Sequence, residues 1–257
     1  MKLFIKTSLI SLILMSFLIS TAGAAKLDLS GLLVLYLCDD GSGDTLKDSS
    51  GNGWDADAPG AEWEKGVFGN AVRLSGTNTE VAGDIISSTA ETGEISMMCW
   101  LNMASHSNYN GIISIQSPVG DVCDYRLMVN PAKNPFWNAG HHVDQSLANF
   151  TFDTDTWYHY ALTADGEINI VYIDGEPIGE VVDNFDLPEF DDVSLYIGTG
   201  EAPGTWQIED CAIDEVMVWD RVLDEDEMQI MLEGYKVFAA VDANGKVAST
   251  WGGLKAD

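Results

Sequence analysis

The arrangement of apolar runs limits the fold of this chain more than any other feature. Short runs of alternating or continuous apolar residues recur along the sequence, and clusters of Gly, Asn and Asp separate them at near-regular intervals. Such runs are typical of antiparallel strands joined by turns, and helical periodicity is almost absent. The predicted strands are 32–38, 71–74, 95–103, 111–116, 125–129, 157–163, 168–173, 178–182, 193–198 and 211–219. The sequence therefore predicts an all-β sandwich or barrel.

Two Asp-Gly pairs indicate tight hairpin turns within this pattern. Asp165-Gly166 and Asp174-Gly175 each lie between β-rich runs. An Asp-Gly pair suits the positive backbone dihedrals of a two-residue hairpin loop. Residues 157–182 are therefore predicted to form a three-stranded meander.

One helix is predicted, over residues 224–233. Asp224 can cap its first turn, and Glu227 can reach back to the cap residue, in an Asp version of the capping box. Gly234 is placed to end the helix. Its apolar residues at helical spacing, expected to pack on a sheet edge, are Met228, Met231 and Leu232. Beyond it, a C-terminal extension at 236–257 is predicted to form a short hairpin.

The first residues have the layout of an export signal. Lys2 and Lys6 precede an apolar run over 9–19, and Ala-Gly-Ala at 22–24 supplies a small-x-small cleavage pattern. This order is typical of a secretory signal peptide, here residues 1–24. A membrane anchor is the alternative, but the run is shorter than the roughly 20 apolar residues that span a bilayer. We expect a secreted or extracytoplasmic protein without membrane insertion.

The charge balance limits the classes of partner. The chain has 41 Asp and Glu against 12 Lys and Arg, a formal net charge of -29, while its 46% apolar content is sufficient for a packed core. A strongly negative field repels phosphate backbones and anionic lipids. Nucleic acid and acidic membranes are therefore poor partners, and so are sulfated or uronate-rich polymers.

The predicted export makes the four cysteines candidates for disulfide bonds, because thiols outside the cytoplasm tend to be paired. The candidates for disulfide bonds are Cys38, Cys99, Cys123 and Cys211, and a Cys38–Cys211 bridge would join the first long strand to one near the end. The alternative is that some of them are buried free thiols within strands.

A set of ordered motifs resembles one family. The motifs are LLVLYLCDDGSG at 32–43, KDSSGNG at 47–53, GNAVRLSGTN at 69–78, WYHYAL at 157–162, YIDGEPIG at 172–179 and IDEV at 213–216, which leads through Arg221-Val222-Leu223 into the helix. In this order they resemble laminin-G-like jelly-roll domains of the concanavalin A-like lectin and glucanase superfamily. The resemblance implies one domain over 27–235, a two-sheet antiparallel jelly-roll sandwich with one short C-terminal helix.

Catalysis of the kind that occurs in this superfamily is not expected. Its retaining glycosidases carry two carboxylates on one strand as E-x-D-x-x-E, because alternate residues face the same cleft. That motif is missing. The strand sequence most similar to it contains only Glu167, which lies at a turn, and Asn169. Asp214 and Glu215 are adjacent and are expected to point to opposite faces of their strand. We predict a protein that is not an enzyme.

Calcium is the metal that the resemblance favours. Related jelly rolls often bind a structural calcium near the chain start and the last long strand, so the implied ligands are Asp39, Asp48, Asn52 and Asp214. Calcium takes oxygen ligands of this kind. The alternative is that Asp48 and Asn52 shape a Gly-rich Asx turn and that Asp214 caps a strand.

Aromatic residues in polar contexts are the candidates for ligand contact, because a flat ring can stack on a sugar ring or fill a protein hot spot. Trp100, Trp157 and Trp219 lie inside apolar strands and are expected in the core. The predicted ligand-binding residues are Tyr109, Phe136, Trp137, His141 and Trp206, and Asn138 and Gln207 can add hydrogen bonds.

Together these features predict a secreted, non-catalytic module that binds a neutral extracellular glycan or glycoprotein, with calcium as a structural cofactor. The main alternative is a structural or adhesive surface protein that binds a protein partner or its own copy. A divergent glycanase is the third reading. The fold does not choose between them, because one sandwich serves lectins, glycanases and adhesion modules.

Overall fold

The computed structural model describes residues 27–76, 79–81, 94–116, 123–139, 144–182, 193–201 and 205–235. The predicted signal peptide at 1–24 and the C-terminal extension at 236–257 lie outside these residues. Within them the strands are β1 (Leu32–Tyr36), β2 (Thr45–Leu46), β3 (Ala56–Asp57), β4 (Glu62–Lys65), β5 (Asn70–Leu74), β6 (Thr79–Val81), β7 (Ile95–Ser105), β8 (Asn110–Gln116), β9 (Cys123–Val129), β10 (Pro135–Ala139), β11 (Gln145–Ser146), β12 (Trp157–Ala164), β13 (Ile168–Ile173), β14 (Glu176–Val182), β15 (Ser194–Ile197), β16 (Thr199–Glu201), β17 (Thr205–Gln207) and β18 (Asp210–Trp219). The helix α1 spans Glu225–Met231.

The strands form two large antiparallel sheets and one small hairpin. The first sheet has the order β14-β13-β12-β7-β18-β5-β4, with β1 also paired to β18. The second sheet has the order β11-β10-β9-β8-β15-β6-β3-β2, and β16 pairs with β17 alone. This arrangement confirms the prediction of an all-β antiparallel sandwich with one short C-terminal helix.

The main core lies between the two sheets, because alternate residues of each strand face inward. On β9 the inward residues are Tyr125, Leu127 and Val129, and on β7 they include Met97 and Cys99. All five are fully or almost fully buried. The alternation that predicted the strands therefore also set the face that each strand buries.

A second apolar cluster covers the outer face of the first sheet. Met228 and Met231 of α1 pack there with Trp219 and Tyr172. Asp224 and Glu227 form the capping box that the sequence predicted. The helix is shorter than predicted. It contacts the edge strand β14, as predicted, and its buried methionines also pack on the face of the sheet. In the described part of the chain no helix is long and apolar enough to cross a bilayer.

The meander of β12, β13 and β14 is confirmed. Asp174 and Gly175 both have positive φ, 50° and 77°, in the turn between β13 and β14. At the other turn only Gly166 is in the positive region, with φ of 90°. Each Asp-Gly pair therefore lies in the turn that joins two consecutive strands.

Several expectations about single residues need correction. Trp219 is buried as predicted, but Trp100 and Trp157 are only half-buried, since they lie on the outer face of the first sheet. Strand β10 and the short strands β2, β3, β4, β6, β11, β16 and β17 were not predicted. Two or three residues carry too little periodicity to identify a strand, and β4 consists mainly of charged residues.

The predicted Cys38–Cys211 disulfide is wrong. Cys38, Cys99 and Cys211 are buried free thiols, so the alternative reading holds for all three. Burial raises the pKa of each thiol well above its usual range, with nearby carboxylates adding to the effect at Cys38. The side chain of Cys123 lies outside the described residues.

Candidate functional site

The outer face of the second sheet carries a row of polar side chains. Arg126 on β9 pairs across the sheet with Asn138 on β10 and with Ser114 on β8. Tyr196 on β15 continues the row beside Ser114. These residues alternate with the inward apolar ones, which is why neighbouring strands bring them to one level of the sheet.

A hairpin lies directly on this face. A Cβ atom at Gly111 would lie 1.9 Å from the backbone nitrogen of Gly200, so only glycine lets β16 approach β8 this closely. Ser114 Oγ donates to the carbonyl of Thr199 over 2.8 Å. Residue 206 follows on β17, and its backbone has a positive φ of 53°. The close contact at Gly111 thus positions the Trp206 side chain over the sheet.

Three rings meet beside this hairpin, and we call Tyr109, Phe136 and Trp206 the aromatic cluster. The Tyr109 ring lies 5.0 Å from Phe136 and 5.7 Å from Trp206 between centroids. The Arg126 guanidinium lies 5.1 Å from the centroid of Trp206. Phe136 is 8% exposed, whereas Tyr109 and Trp206 are half-buried. Phe136 and Arg126 therefore support two rings that a ligand can reach.

The structure separates the predicted ligand residues. It brings Tyr109, Phe136 and Trp206 together, but Trp137 is 0% exposed in the main core. The expectation of an accessible Trp137 ring is wrong because Phe136 and Trp137 are consecutive on β10 and point to opposite faces. His141 lies outside the described residues. Asn138 is buried in the polar row, and Gln207 is half-buried beside Trp206.

Arg126 is the residue of this face that the sequence reasoning missed. It is 6% exposed and lies between two inward residues of β9. A single cation inside the otherwise apolar run 125–129 was the available signal. Alternation places such a residue on the face opposite the core, where a buried charge needs polar or aromatic surroundings.

A hydrogen-bonded network closes one end of the aromatic cluster. His106 Nε2 contacts the carbonyl of Asn130, and the amide nitrogen of Asn110 contacts His106 Nδ1. Asn110 Oδ1 accepts from the backbone N–H of Glu209 over 2.7 Å. Burial lowers the pKa of His106 below its usual value. The network joins the segment that carries Tyr109 to the two neighbouring segments.

Two of the residues proposed for calcium instead organise a loop. Asp48 accepts hydrogen bonds from backbone N–H groups at Leu35, Ser50, Gly53 and Trp54. Asn52 Nδ2 donates to the carbonyls of Leu32 and Leu33. The Asx-turn alternative therefore describes this segment.

The other two calcium candidates both hold the segment 66–70. Asp39 Oδ1 accepts from the N–H of Asn70, and Asp214 Oδ2 accepts from the N–H of Phe68, each over 2.9 Å. Among the described residues no group of three or more His, Cys, Asp and Glu could hold a metal ion. The four candidates therefore hold two different segments of the backbone.

Asp214 and Glu215 do not point to opposite faces as predicted. The pairing of β18 with β7 shifts between Asp214 and Met217, so the strand carries a bulge at this point. Ile213 and Val216 on either side both face the main core. The two acids therefore occupy the outer side together, which strict alternation would forbid.

These two acids are buried at 0% and 2% exposure. Burial raises the pKa of Asp214 to about 6 and that of Glu215 to about 8. Glu215 Oε2 accepts from the N–H of Tyr235, and Asp214 accepts hydrogen bonds from backbone N–H groups that include Phe68. The pair is closed off from solvent, so no substrate can reach these carboxyl groups in this conformation.

Comparison with known proteins agrees with this architecture. The family model Laminin_G_3, described as the concanavalin A-like lectin/glucanases superfamily, matches residues 75–229, more than half of the chain. No curated protein matches.

Solved structures share the fold at low sequence identity. The binding domain of Paraclostridial Mosquitocidal Protein 1 matches with a TM-score of 0.64 and 13% identity, over 80% of this chain and 53% of that one. Trypanosoma rangeli sialidase in complex with sialic acid matches with a TM-score of 0.61 and 15% identity, over 81% and 33%. The binding domain of botulinum neurotoxin serotype D/C matches with a TM-score of 0.59 and 16% identity, over 80% and 52%.

The chain thus spans about a third to a half of the length of these solved structures. At such identities the likeness concerns the fold alone, whereas the family model rests on the sequence itself. Two stacked antiparallel sheets and the matched residues lead to the same assignment. This chain belongs to the concanavalin A-like lectin/glucanase superfamily.

Proposed function

We propose that this protein is a secreted, non-catalytic binding module that takes a neutral glycan, free or on a glycoprotein, at the aromatic cluster. The observation that carries the proposal is the pair of accessible rings, Tyr109 and Trp206, held 5.7 Å apart on a support of Phe136 and Arg126. A flat ring offers an apolar face that suits the C–H face of a sugar. Rigid rings also lose little conformational entropy on binding.

Polar groups beside the rings suit the hydroxyls of the same ligand. Gln207 follows Trp206 on β17, and Gln116 lies on β8 with its amide donating to the carbonyl of Gly200. Both amides are half-buried. A site that combines two rings with fixed amides favours an uncharged polyhydroxylated ligand.

The other large face of the sandwich offers less to a ligand. On the first sheet, α1 and the apolar cluster with Trp219 and Met228 occupy much of the outer surface. The second sheet instead presents polar and aromatic side chains. This difference favours the second sheet as the binding face.

Net charge favours a neutral ligand over an acidic one. The formal charge of -29 repels anionic polymers over a distance set by the ionic strength. Two similar folds are described as binding domains, of a mosquitocidal protein and of a botulinum neurotoxin. These descriptions support a binding role without identifying a ligand for this chain.

The absence of turnover is part of the proposal. Asp214 and Glu215 are the adjacent carboxyl pair with raised pKa values, and both are enclosed by the protein. The segment at 1–24 supports export, which would bring the module to extracellular glycans.

A glycan array with matched variants tests this function. We expect the wild-type protein to bind a narrow set of neutral glycans, and Trp206→Ala and Tyr109→Ala to lose about tenfold or more in affinity for them, as for loss of one stacked ring. Trp63→Phe, a half-buried ring on β4 of the other sheet, is the control that keeps binding.

Unchanged binding by both folded cluster variants would contradict the site. Silence of the folded wild-type protein on the array would contradict glycan binding, and light scattering would then test for self-association. Sugar release from a polysaccharide panel would contradict the non-catalytic assignment.

A further inference from the structure

We propose that His106 is a positioning residue for the aromatic cluster: as the neutral tautomer protonated at Nε2 it holds the ring-bearing segments together, and its protonation loosens them. The affinity of the site for its ligand therefore falls at acidic pH. This inference rests on the proposed function for its consequence, but its structural part stands on the network around His106.

The hydrogen bonds leave only one tautomer. The Asn130 carbonyl can only accept, so His106 Nε2 must carry a hydrogen. The backbone N–H of Glu209 can only donate, so the Asn110 atom facing it must be Oδ1. Nδ2 of Asn110 therefore faces His106, and His106 Nδ1 must be the acceptor. Each assignment follows from a backbone group whose role is fixed.

Protonation at Nδ1 would place two donors against each other. Asn110 cannot correct this by turning over its amide, because Nδ2 would then meet the N–H of Glu209. Asn110 is fully buried, so water cannot easily replace the lost partner. One of the two contacts made by Asn110 must therefore break.

The three segments tied by this network are the segments that carry the rings. His106 and Asn110 bracket Tyr109 in the chain. Asn130 begins the turn between β9 and β10, and Phe136 lies on β10 beyond it. Glu209 follows β17, the strand of Trp206. A change at His106 is thus transmitted to all three members of the aromatic cluster.

The charged groups around His106 act in opposite directions on its proton. Glu209 favours the protonated ring, and its carboxylate also accepts a hydrogen bond from Ser107 Oγ over 2.7 Å. Lys133, in the turn between β9 and β10, disfavours it. Burial is the largest influence and lowers the pKa of His106. The neutral form is therefore the resting form at neutral pH.

The test follows the imidazole and the rings in the same pH titration of the 15N-labelled protein. We expect 15N shifts at neutral pH that identify hydrogen at Nε2 of His106, with a midpoint below 6.5. Contacts between the Tyr109 and Trp206 rings, read from nuclear Overhauser effects, should weaken through that midpoint. In His106→Gln these contacts should not change over the same range.

Asn110→Asp is the matched variant, in which the pKa of His106 should be raised instead of lowered. Its carboxylate still accepts from Glu209 N–H but now also accepts from a protonated Nδ1, so the pKa of His106 should move above 6.5. Affinity for a glycan bound at neutral pH should fall about tenfold as wild-type His106 titrates, as for loss of one buried hydrogen bond. It should stay flat in His106→Gln.

The two proposals fail differently. Hydrogen at Nδ1, or rings that keep their contact throughout the His106 titration, would overturn the positioning role whether or not a glycan binds. Ring contacts that respond to His106 in a protein that binds no glycan at any pH would uphold the positioning role and overturn only the proposed ligand.

Discussion

Tyr109 and Trp206 lie side by side on the outer face of the second sheet, although one precedes β8 and the other lies on β17. Their contact depends on the approach of Gly200 to Gly111, which lets the hairpin of β16 and β17 lie on β8. No single segment of the chain could supply both rings. The accessible rings are therefore a product of tertiary packing, and several measurable consequences follow from the same packing.

The two tryptophans Trp137 and Trp206 should respond differently to truncation. Trp137→Ala should destabilise the fold by about 3–5 kcal/mol, because it empties a fully buried position in the core. Trp206→Ala should cost about 1 kcal/mol or less and reduce ligand affinity instead. Urea unfolding measures the stabilities. Equal losses of stability in the two variants would contradict the assignment of Trp206 to a surface site.

Replacement of Asp48 should weaken the loop that it organises. In Asp48→Asn one acceptor oxygen becomes an amide donor that faces backbone N–H groups at Ser50, Gly53 or Trp54. We expect a loss of about 2 kcal/mol or more in the free energy of unfolding. Asp57→Asn, at an exposed position of β3, is the matched control. A wild-type stability for Asp48→Asn would show that these bonds contribute little.

Calcium addition should leave the melting temperature unchanged. The four candidate ligands already form hydrogen bonds from their side chains to backbone groups: Asp48, Asn52, Asp39 and Asp214. Two of them, Asp48 and Asn52, lie in a separate loop. A bound ion would stabilise the native state by mass action. Melting curves with millimolar calcium and with chelator measure this. A calcium-dependent rise that disappears in Asp214→Asn would restore the calcium site predicted from the sequence.

Stability should fall with rising pH above 6.5 because of Glu215. Its pKa is raised from 4.5 to about 8, so between these values the unfolded chain releases a proton that the folded chain keeps. That difference makes unfolding easier as pH rises, by up to about 1.4 kcal/mol per pH unit. Above pH 8 the Glu215 carboxyl ionises in both states and its contribution to the slope ends, while the buried thiols, whose pKa values are raised, begin to add theirs.

The window from 6.5 to 8 isolates this group. The pKa of His159 is lowered from 6.5 to about 4 by burial, so its stabilising effect is complete above 6.5 and is lost only as the pH falls. The pKa of Asp214 is raised to about 6, below the window. Urea unfolding of Glu215→Gln should show a flatter slope and a gain in stability at pH 8. The exposed Glu180→Gln should retain the wild-type slope; a flat wild-type profile would rule out a buried Glu215.

The thiols of Cys38, Cys99 and Cys211 should react with alkylating reagents only after unfolding. Their burial limits access, and their raised pKa values remove the reactive thiolate. Peptide mass mapping after labelling with and without urea, in the absence of reductant, measures this. A peptide that stays unlabelled in urea would instead reveal a disulfide.

Much of the fold could be predicted because local alternation and burial agree. The runs around β7, β12, β13 and β18 needed no partner to be identified as strands. The capping box of Asp224 and Glu227 likewise acts within one turn of helix. Two-residue strands such as β2 and β11 exist only through pairing, so no local pattern could mark them.

The candidate site was likewise predicted only in part from the sequence. Tyr109 and Trp206 were predicted as accessible rings from their polar surroundings, but Phe136 and Trp137 are both buried. Polar surroundings do not say which of two consecutive rings faces the core, or which ring the others cover. Arg126 was missed although alternation on β9 placed it outward. At Asp214 the alternation rule itself failed, since the bulge in β18 depends on its pairing with β7.

The sequence by itself determined the sandwich class, the long strands, the hairpin turns, the capped helix and the acidic character, because each depends on residues that are near neighbours in the chain or on composition. Tertiary structure alone decided which rings meet, which cysteines stay unpaired and which side of β18 holds its two acids. Those outcomes depend on the register and approach of distant strands. A one-residue shift in pairing exchanges the faces of a strand, and no local pattern reports it.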